Sequence, residues 1–90
     1  ATFYAKADGS SMIDAGIDDG DIMVIDRSIE ATDGKIAVCL IDGDFTVKRI
    51  KVEKDAVYLM PENQNFQPLK IAEDNKLIIW GIVTYVIKKV

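Results

Sequence analysis

The chain reads as a mainly β domain, a compact arrangement of short twisted sheets and hairpins. Aliphatic, β-branched and aromatic runs recur between clusters of Gly, Asp, Asn and Pro, the pattern of short strands broken by turns. One of those breaks is Asp42-Gly43, flanked by two strand-like runs. An Asp-Gly pair there predicts a two-residue type I′ hairpin, because both central residues must take positive φ. No stretch sustains the 3.6-residue apolar period of an amphipathic helix, and there is no internal repeat or low-complexity segment.

Taken in order, residues 2–7 (TFYAKA) read as a first strand, and Gly9-Ser10-Ser11 as a tight turn. Residues 12–17 can close one helical turn ended by Gly16, followed by an acidic turn at Asp18-Asp19-Gly20-Asp21. A calcium loop fails there. With Gly20 at the glycine position, the first and third ligand positions fall on Ala15 and Ile17. Residues 22–25 form a short buried strand, 28–34 a polar loop, and 35–41 an apolar strand leading into Asp42-Gly43. The return strand covers 44–52, a turn at 53–55 leads to a strand at 56–60, and residues 61–68 form a loop with proline at both ends. A short strand at 69–71 and a turn at 73–76 precede a long last strand over 77–90. Gly81 within it marks a bulge or a close approach of chains.

Ninety residues make one domain with a modest core, and 49% hydrophobic with 29% charged residues is a globular composition. A formal charge of -4 argues against a broad basic face, so no direct nucleic-acid binding is expected of this domain. The longest mostly apolar run, 77–87, falls short of the roughly 20 residues a membrane helix needs. The single cysteine, Cys39, excludes an internal disulfide and lies in the apolar run IAVCL, where a buried structural thiol is expected. There is no histidine. A Ser-His-Asp triad, a Cys-His pair and His-ligated metal are therefore excluded, and a hydrolase built on this chain needs Lys, Asp or Glu as its base. No metal or other cofactor is expected.

Two stretches could carry chemistry. Gly9 lets the backbone turn tightly ahead of Ser10 and Ser11, so a hydroxyl can stand at an edge, although Gly-Ser pairs also occur in ordinary surface loops. Lys48 lies mid-strand on the face of Thr46 and Ile50, opposite Phe45 and Val47. Both faces are partly apolar, so periodicity does not tell whether it is buried, and composition alone favours an ordinary solvated lysine, one of several in Lys48, Arg49, Lys51 and Lys54. As a base at neutral pH, a lysine must lower its pKa from about 10.4 by roughly 3 units, about 4 kcal/mol in favour of the neutral amine. Desolvation against an apolar wall can supply that.

Several motifs in order and spacing make the chain recognisable. These are Ser11-Met12-Ile13-Asp14; Gly16-Ile17 with Asp19-Gly20-Asp21; Asp42-Gly43 with Phe45-Thr46-Val47-Lys48; Pro61-Glu62-Asn63 with Phe66 and Pro68; and Gly81-Ile82-Val83. Across essentially all 90 residues the sequence resembles the C-terminal catalytic domain of the LexA/UmuD family, serine–lysine self-cleaving proteins of the bacterial DNA-damage (SOS) response. The Ser-Met-Ile-Asp and Phe-Thr-Val-Lys pieces look more like UmuD, and Pro-Glu-Asn more like LexA. Type I signal peptidases share a related fold and a similar Ser-Met, but the expectation goes against them, since neither their membrane anchor nor their large second domain is read in these 90 residues.

The resemblance implies a nucleophile at Ser11 rather than Ser10, a base at Lys48, and an oxyanion hole from the backbone N–H groups of Ser10 and Ser11. It implies a substrate too: a peptide N-terminal to the domain, cut at an Ala-Gly or Cys-Gly bond. No such site precedes Ser11, and Ala15-Gly16 lies four residues after it on the same turn. The expectation is therefore a processed, cytoplasmic form whose N-terminal arm has been removed. UmuD-like relatives imply a homodimer, an activated recombinase filament as trigger, and a role as accessory subunit of a translesion DNA polymerase. The alternative is the dimerisation and autocleavage domain of a LexA-like or phage repressor. The apolar residues on both faces of 77–87, an exposed strand open to pairing, point to part of 77–90 as the dimer interface.

Overall fold

A computed structural model describes residues 2–90. Seven strands form one antiparallel sheet: β1 (Thr2–Lys6), β2 (Ile22–Asp26), β3 (Ile36–Ile41), β4 (Asp44–Glu53), β5 (Ala56–Met60), β6 (Leu69–Lys70) and β7 (Leu77–Ile87), in the spatial order β1-β2-β7-β3-β4-β5-β6. The one helical piece among the described residues is a 3₁₀ turn at Ile13–Ala15, closed by Gly16 at φ 83° with its N–H donating to the Ile13 carbonyl. Asp42 (φ 48°) and Gly43 (φ 91°) both take positive φ between β3 and β4, as a type I′ hairpin requires.

Two bulges in β7 shape the sheet. Val24 faces Tyr85 while Ile25 faces Val83, so Thr84 is extra; Val38 faces Gly81 while Cys39 faces Ile79, so Trp80 is extra. Bulges increase local twist, and the twisted sheet buries both of its faces near the middle. Val38 packs with Met12, Ile17, Met23 and Ile25, whereas its neighbours Ala37 and Cys39 pack with Ile50, Leu59 and Ile82. Successive residues of one strand thus enter two different cores. That is why β3 and the centre of β7 read as continuous apolar runs rather than alternating ones.

Gly81 is the close approach its position suggested. A Cβ there would stand 2.5 Å from Ile25 Cγ2 and 3.3 Å from Arg27 Cγ, and Ile25 is only 1% exposed. Gly81→Ala is expected to destabilise the domain by about 1–3 kcal/mol through overpacking. In a domain of this size each kcal/mol lowers Tm by roughly 4–8 °C, which differential scanning calorimetry resolves.

The last strand is shorter than its sequence suggests. β7 stops at Ile87, and Lys88 turns to Asp18 (2.8 Å) and Asp21, an ion pair to a buried carboxylate that extension along the sheet does not provide. Nor is β7 an outer strand. It lies between β2, bonded over Ile82–Ile87 of β7, and β3, bonded over Leu77–Ile82, so each edge is open for half its length.

Candidate active site

Lys48 is set by the β3–β4 hairpin. The register opposes Lys48 to Ala37 and Thr46 to Cys39, which turns both side chains to the face that also carries Ile50. From there the lysine reaches round the strand edge. Its Nζ lies 2.6 Å from Thr46 Oγ1, 3.1 Å from the Val47 carbonyl oxygen and 3.0 Å from Ser11 Oγ. Burial lowers its pKa below the usual lysine value. Cys39 beside it does not oppose this at neutral pH, because burial pushes the thiol up to about 11 and keeps it uncharged.

Lys48 Nζ donates to Thr46 Oγ1, the Val47 carbonyl and Ser11 Oγ, the three bonds an ammonium can make. After loss of one proton, two N–H donors serve Thr46 and Val47 and the lone pair faces Ser11 Oγ, so the same geometry accommodates the neutral amine.

The serine turn is held from two sides. Gly9, at φ 90°, donates its N–H to Asp19 Oδ1 (2.7 Å), while Ala7 N–H donates to the Asp21 carbonyl and Gly20 N–H to the Ala7 carbonyl, both at 2.8 Å. The acidic turn thus spends its side chains on the protein itself, with Asp21 also accepting from Asp18 N–H and Lys88. On the other side, Glu62 N–H donates to the Ser11 carbonyl and Asp14 N–H to the Glu62 carbonyl, each at 2.8 Å. Asn63 Nδ2 donates to the Ser10 carbonyl at 2.9 Å. Arg49 fixes this loop in turn, with Nε to Glu62 Oε1 and Nη1 to the Gly34 carbonyl, both 2.6 Å.

The two serines are therefore separated. Ser11 Oγ meets Lys48, whereas Ser10 is exposed and its hydroxyl has no hydrogen-bond partner among the described residues. The backbone N–H groups of Ser10 and Ser11 are likewise without partners among the described residues.

Ser11 opens on a cleft of about 510 Å³, inside the usual range for ligand sites. Residues 5–9 form one wall and residues 45–47 the other, over a floor that includes Met12, Met23, Ile25 and Trp80. β4 changes neighbours along this wall: β3 pairs it over Asp44–Arg49, and β5 joins its other edge only from Arg49 onward. Ile50 N–H bonds to the Lys35 carbonyl, so even-numbered residues of β4 face β3 with their backbone groups. Phe45 and Val47 consequently point theirs away from β3, at an edge with no strand beside it.

Four contributors lay outside the candidate residues. Thr46 was legible, being two residues before Lys48 on the same strand face. Glu62 and Asn63 belong to the Pro-Glu-Asn piece, but nothing local ties Asn63 to a carbonyl 53 residues away. Arg49 points to the opposite face from Lys48 and gave no signal.

The Peptidase S24-like family profile matches residues 1–84. Protein MucA of Salmonella typhimurium is 44% identical over 86 residues, covering 94% of this chain and 58% of MucA. The LexA repressor of Oleidesulfovibrio alaskensis is 41% identical over 81 residues, 90% of this chain and 39% of the repressor. The LexA repressor of Alcanivorax borkumensis is 41% identical over 87 residues, 97% of this chain and 42% of that protein. The chain thus spans about two fifths to three fifths of the length of these relatives. With the match running through both the serine turn and the lysine strand, the chain belongs to the Peptidase S24-like family.

Proposed function

We propose that this chain is the catalytic domain of a self-cleaving serine peptidase of the SOS response, with Ser11 as nucleophile and Lys48 as general base. The observation that carries the reading is the 3.0 Å approach of Lys48 Nζ to Ser11 Oγ at the mouth of the cleft. The neutral amine takes the hydroxyl proton as Oγ attacks the scissile carbonyl carbon. The resulting oxyanion is met by the N–H groups of Ser10 and Ser11. The ammonium then returns the proton to the leaving amine, and an acyl-enzyme remains. Water attacks this ester, again deprotonated by Lys48, and frees the new carboxylate. The open edge at Phe45 and Val47 suits a substrate in extended form, added beside β4 by main-chain hydrogen bonds. The substrate would be an N-terminal arm carrying an Ala-Gly or Cys-Gly bond. Incubating the domain with peptides bearing either bond, and identifying the products by mass spectrometry, tests this. Intact peptides after prolonged incubation at alkaline pH would overturn it.

In the UmuD-like version of this reading, the processed domain works in the cytoplasm as a homodimeric accessory subunit of a translesion polymerase, and a recombinase filament triggers its cleavage. The repressor version places a helix-turn-helix domain of about 70 residues upstream, against an arm of some tens of residues. The sequence of the full-length gene separates the two.

Exposed apolar side chains support association in either version. Tyr4, Val24 and Tyr85 lie opposite one another across β1, β2 and β7, with Ile22 and Ile87 beside them; Tyr4 is 69% exposed and Tyr85 73%. A two-fold contact would bury this row against itself. Sedimentation equilibrium at micromolar concentration should give twice the 10.0 kDa chain mass, and Tyr85→Asp should shift the equilibrium toward monomer at least tenfold. A wild-type chain that sediments as a clean monomer removes the dimer.

A further inference from the structure

The carbonyl of Ser10 and the N–H of Ser11 belong to one peptide unit. In a trans peptide they point in opposite directions within one plane, so whatever holds the carbonyl also aims the N–H. The chain has no cis peptide bonds among the described residues. The Ser10 carbonyl accepts from Asn63 Nδ2 at 2.9 Å and, at a much longer 3.4 Å, from Ile13 N–H, so Asn63 supplies the stronger hold. Asn63 is itself fixed in orientation, because its Oδ1 accepts from Asn65 N–H at 3.0 Å. With Oδ1 committed to a donor, Nδ2 must face Ser10. The following carbonyl, that of Ser11, is held by the Glu62 main chain. The 62–63 segment therefore grips two successive carbonyls at the nucleophile and leaves the Ser11 N–H free on the opposite side.

We propose that Asn63 is a positioning residue for the oxyanion hole: by holding the Ser10 carbonyl, it stops the Ser10–Ser11 peptide from flipping and keeps the Ser11 N–H available to the developing oxyanion. A flipped peptide would present the Ser10 carbonyl oxygen where the N–H should be, exchanging a donor for an acceptor. This rests on Ser11 being the nucleophile. Loss of one oxyanion donor lowers kcat by about 10²–10³-fold, and a lock on that donor sets a smaller effect whenever the unlocked peptide still samples the right orientation.

Asn63→Asp isolates the function. Its carboxylate keeps an acceptor for Asn65 N–H, removes the donor to Ser10, and turns an anionic oxygen toward the Ser10 carbonyl. Asn63→Ala serves as the second variant. Both are tested for cleavage in trans of an Ala-Gly peptide, and for binding of a peptide boronate, whose tetrahedral adduct with Ser11 imitates the oxyanion, beside an uncleavable peptide of the same sequence. The expected result is a kcat lower by about 10–10³-fold with KM little changed. Boronate affinity should fall in parallel while affinity for the uncleavable peptide holds, and the pH midpoint, which belongs to Lys48, should not move. Wild-type kcat in Asn63→Asp overturns the proposal. So does an equal loss of affinity for boronate and uncleavable peptide, which marks a merely structural residue. If wild type itself neither cleaves nor binds boronate more tightly than Ser11→Ala does, the nucleophile assignment fails instead.

Discussion

Ser11→Ala and Lys48→Ala are each expected to lower peptide cleavage by about 10³-fold or more, to the limit of detection in an ordinary gel assay. The size follows from the roles proposed for the two groups. Without Oγ no acyl-enzyme forms, and without the amine the hydroxyl at neutral pH is a poor nucleophile. Residues acting as one unit lose most of the rate on the first deletion. The double variant should accordingly be no slower than the worse single one.

Both variants should stay folded. Ser11 Oγ has Lys48 as its hydrogen-bond partner, and in Ser11→Ala the amine keeps Thr46 Oγ1 and the Val47 carbonyl. For Ser11→Ala the net loss of one such bond is about 1 kcal/mol, so circular dichroism and Tm should change little; Lys48→Ala loses three contacts together with the cost of the buried amine, and should keep the wild-type circular dichroism. Ser10→Ala should cut at a measurable rate, because the Ser10 hydroxyl touches neither Lys48 nor any other described group. Cleavage by Ser11→Ala at the wild-type rate would show the nucleophile to be elsewhere.

The strands and turns were legible because local chemistry dictates them. Asp42-Gly43 names its turn, Gly16 ends its helical turn, and prolines 61 and 68 bound a loop. What local chemistry does not encode is which strands become neighbours. The first and last strands are brought to opposite sides of β2, so β7 lies inside the sheet, bonded to β2 and β3, although its composition suggested an exposed strand. The length of β7 was overstated for a similar reason. Lys88 and Lys89 read as ordinary strand-end residues until Asp21, 67 residues away, claims Lys88.

The candidate site was legible in the same uneven way. Strand alternation gave the face of Lys48 and put Thr46 with it. Burial could not be read, since it depends on the Ala37–Cys39 segment opposite and on the serine turn arriving at the strand edge. The supporting contacts of Glu62, Asn63 and Arg49 join segments far apart in sequence, and periodicity carries no information about such pairs. The motif resemblance reached Glu62 and Asn63 as a pattern, without the hydrogen bonds that give the pattern a reason.

The cleavage rate should rise about tenfold per pH unit below the lowered pKa of Lys48 and level off above it. Only the neutral amine can accept the Ser11 proton, and burial shifts that pKa downward from 10.5. Lys48→Arg should be as inactive as Lys48→Ala at every pH, since the guanidinium keeps its proton throughout and is too broad for a site shaped around one nitrogen. The same shift predicts a stability change of defined sign. Between the lowered folded pKa and the unfolded value near 10.5, the unfolded chain binds more protons at Lys48 than the folded chain does. Stability from this group therefore rises with pH through that window, and below it the buried ammonium is a standing cost. Cys39 works in the opposite direction. Its thiol is raised from 9.0 to about 11, so between those values the unfolded chain loses the proton first and stability falls with pH. Comparing wild type with Lys48→Met keeps the burial of Cys39, its main cause of shift, in both proteins, and leaves only the smaller influence of the Lys48 charge on the thiol as a difference. Lys48→Met should melt higher than wild type at neutral pH, with the difference shrinking toward alkaline pH while activity stays absent throughout. A cleavage rate flat from pH 6 to 10, together with a Tm difference that does not depend on pH, would remove Lys48 as the titrating base.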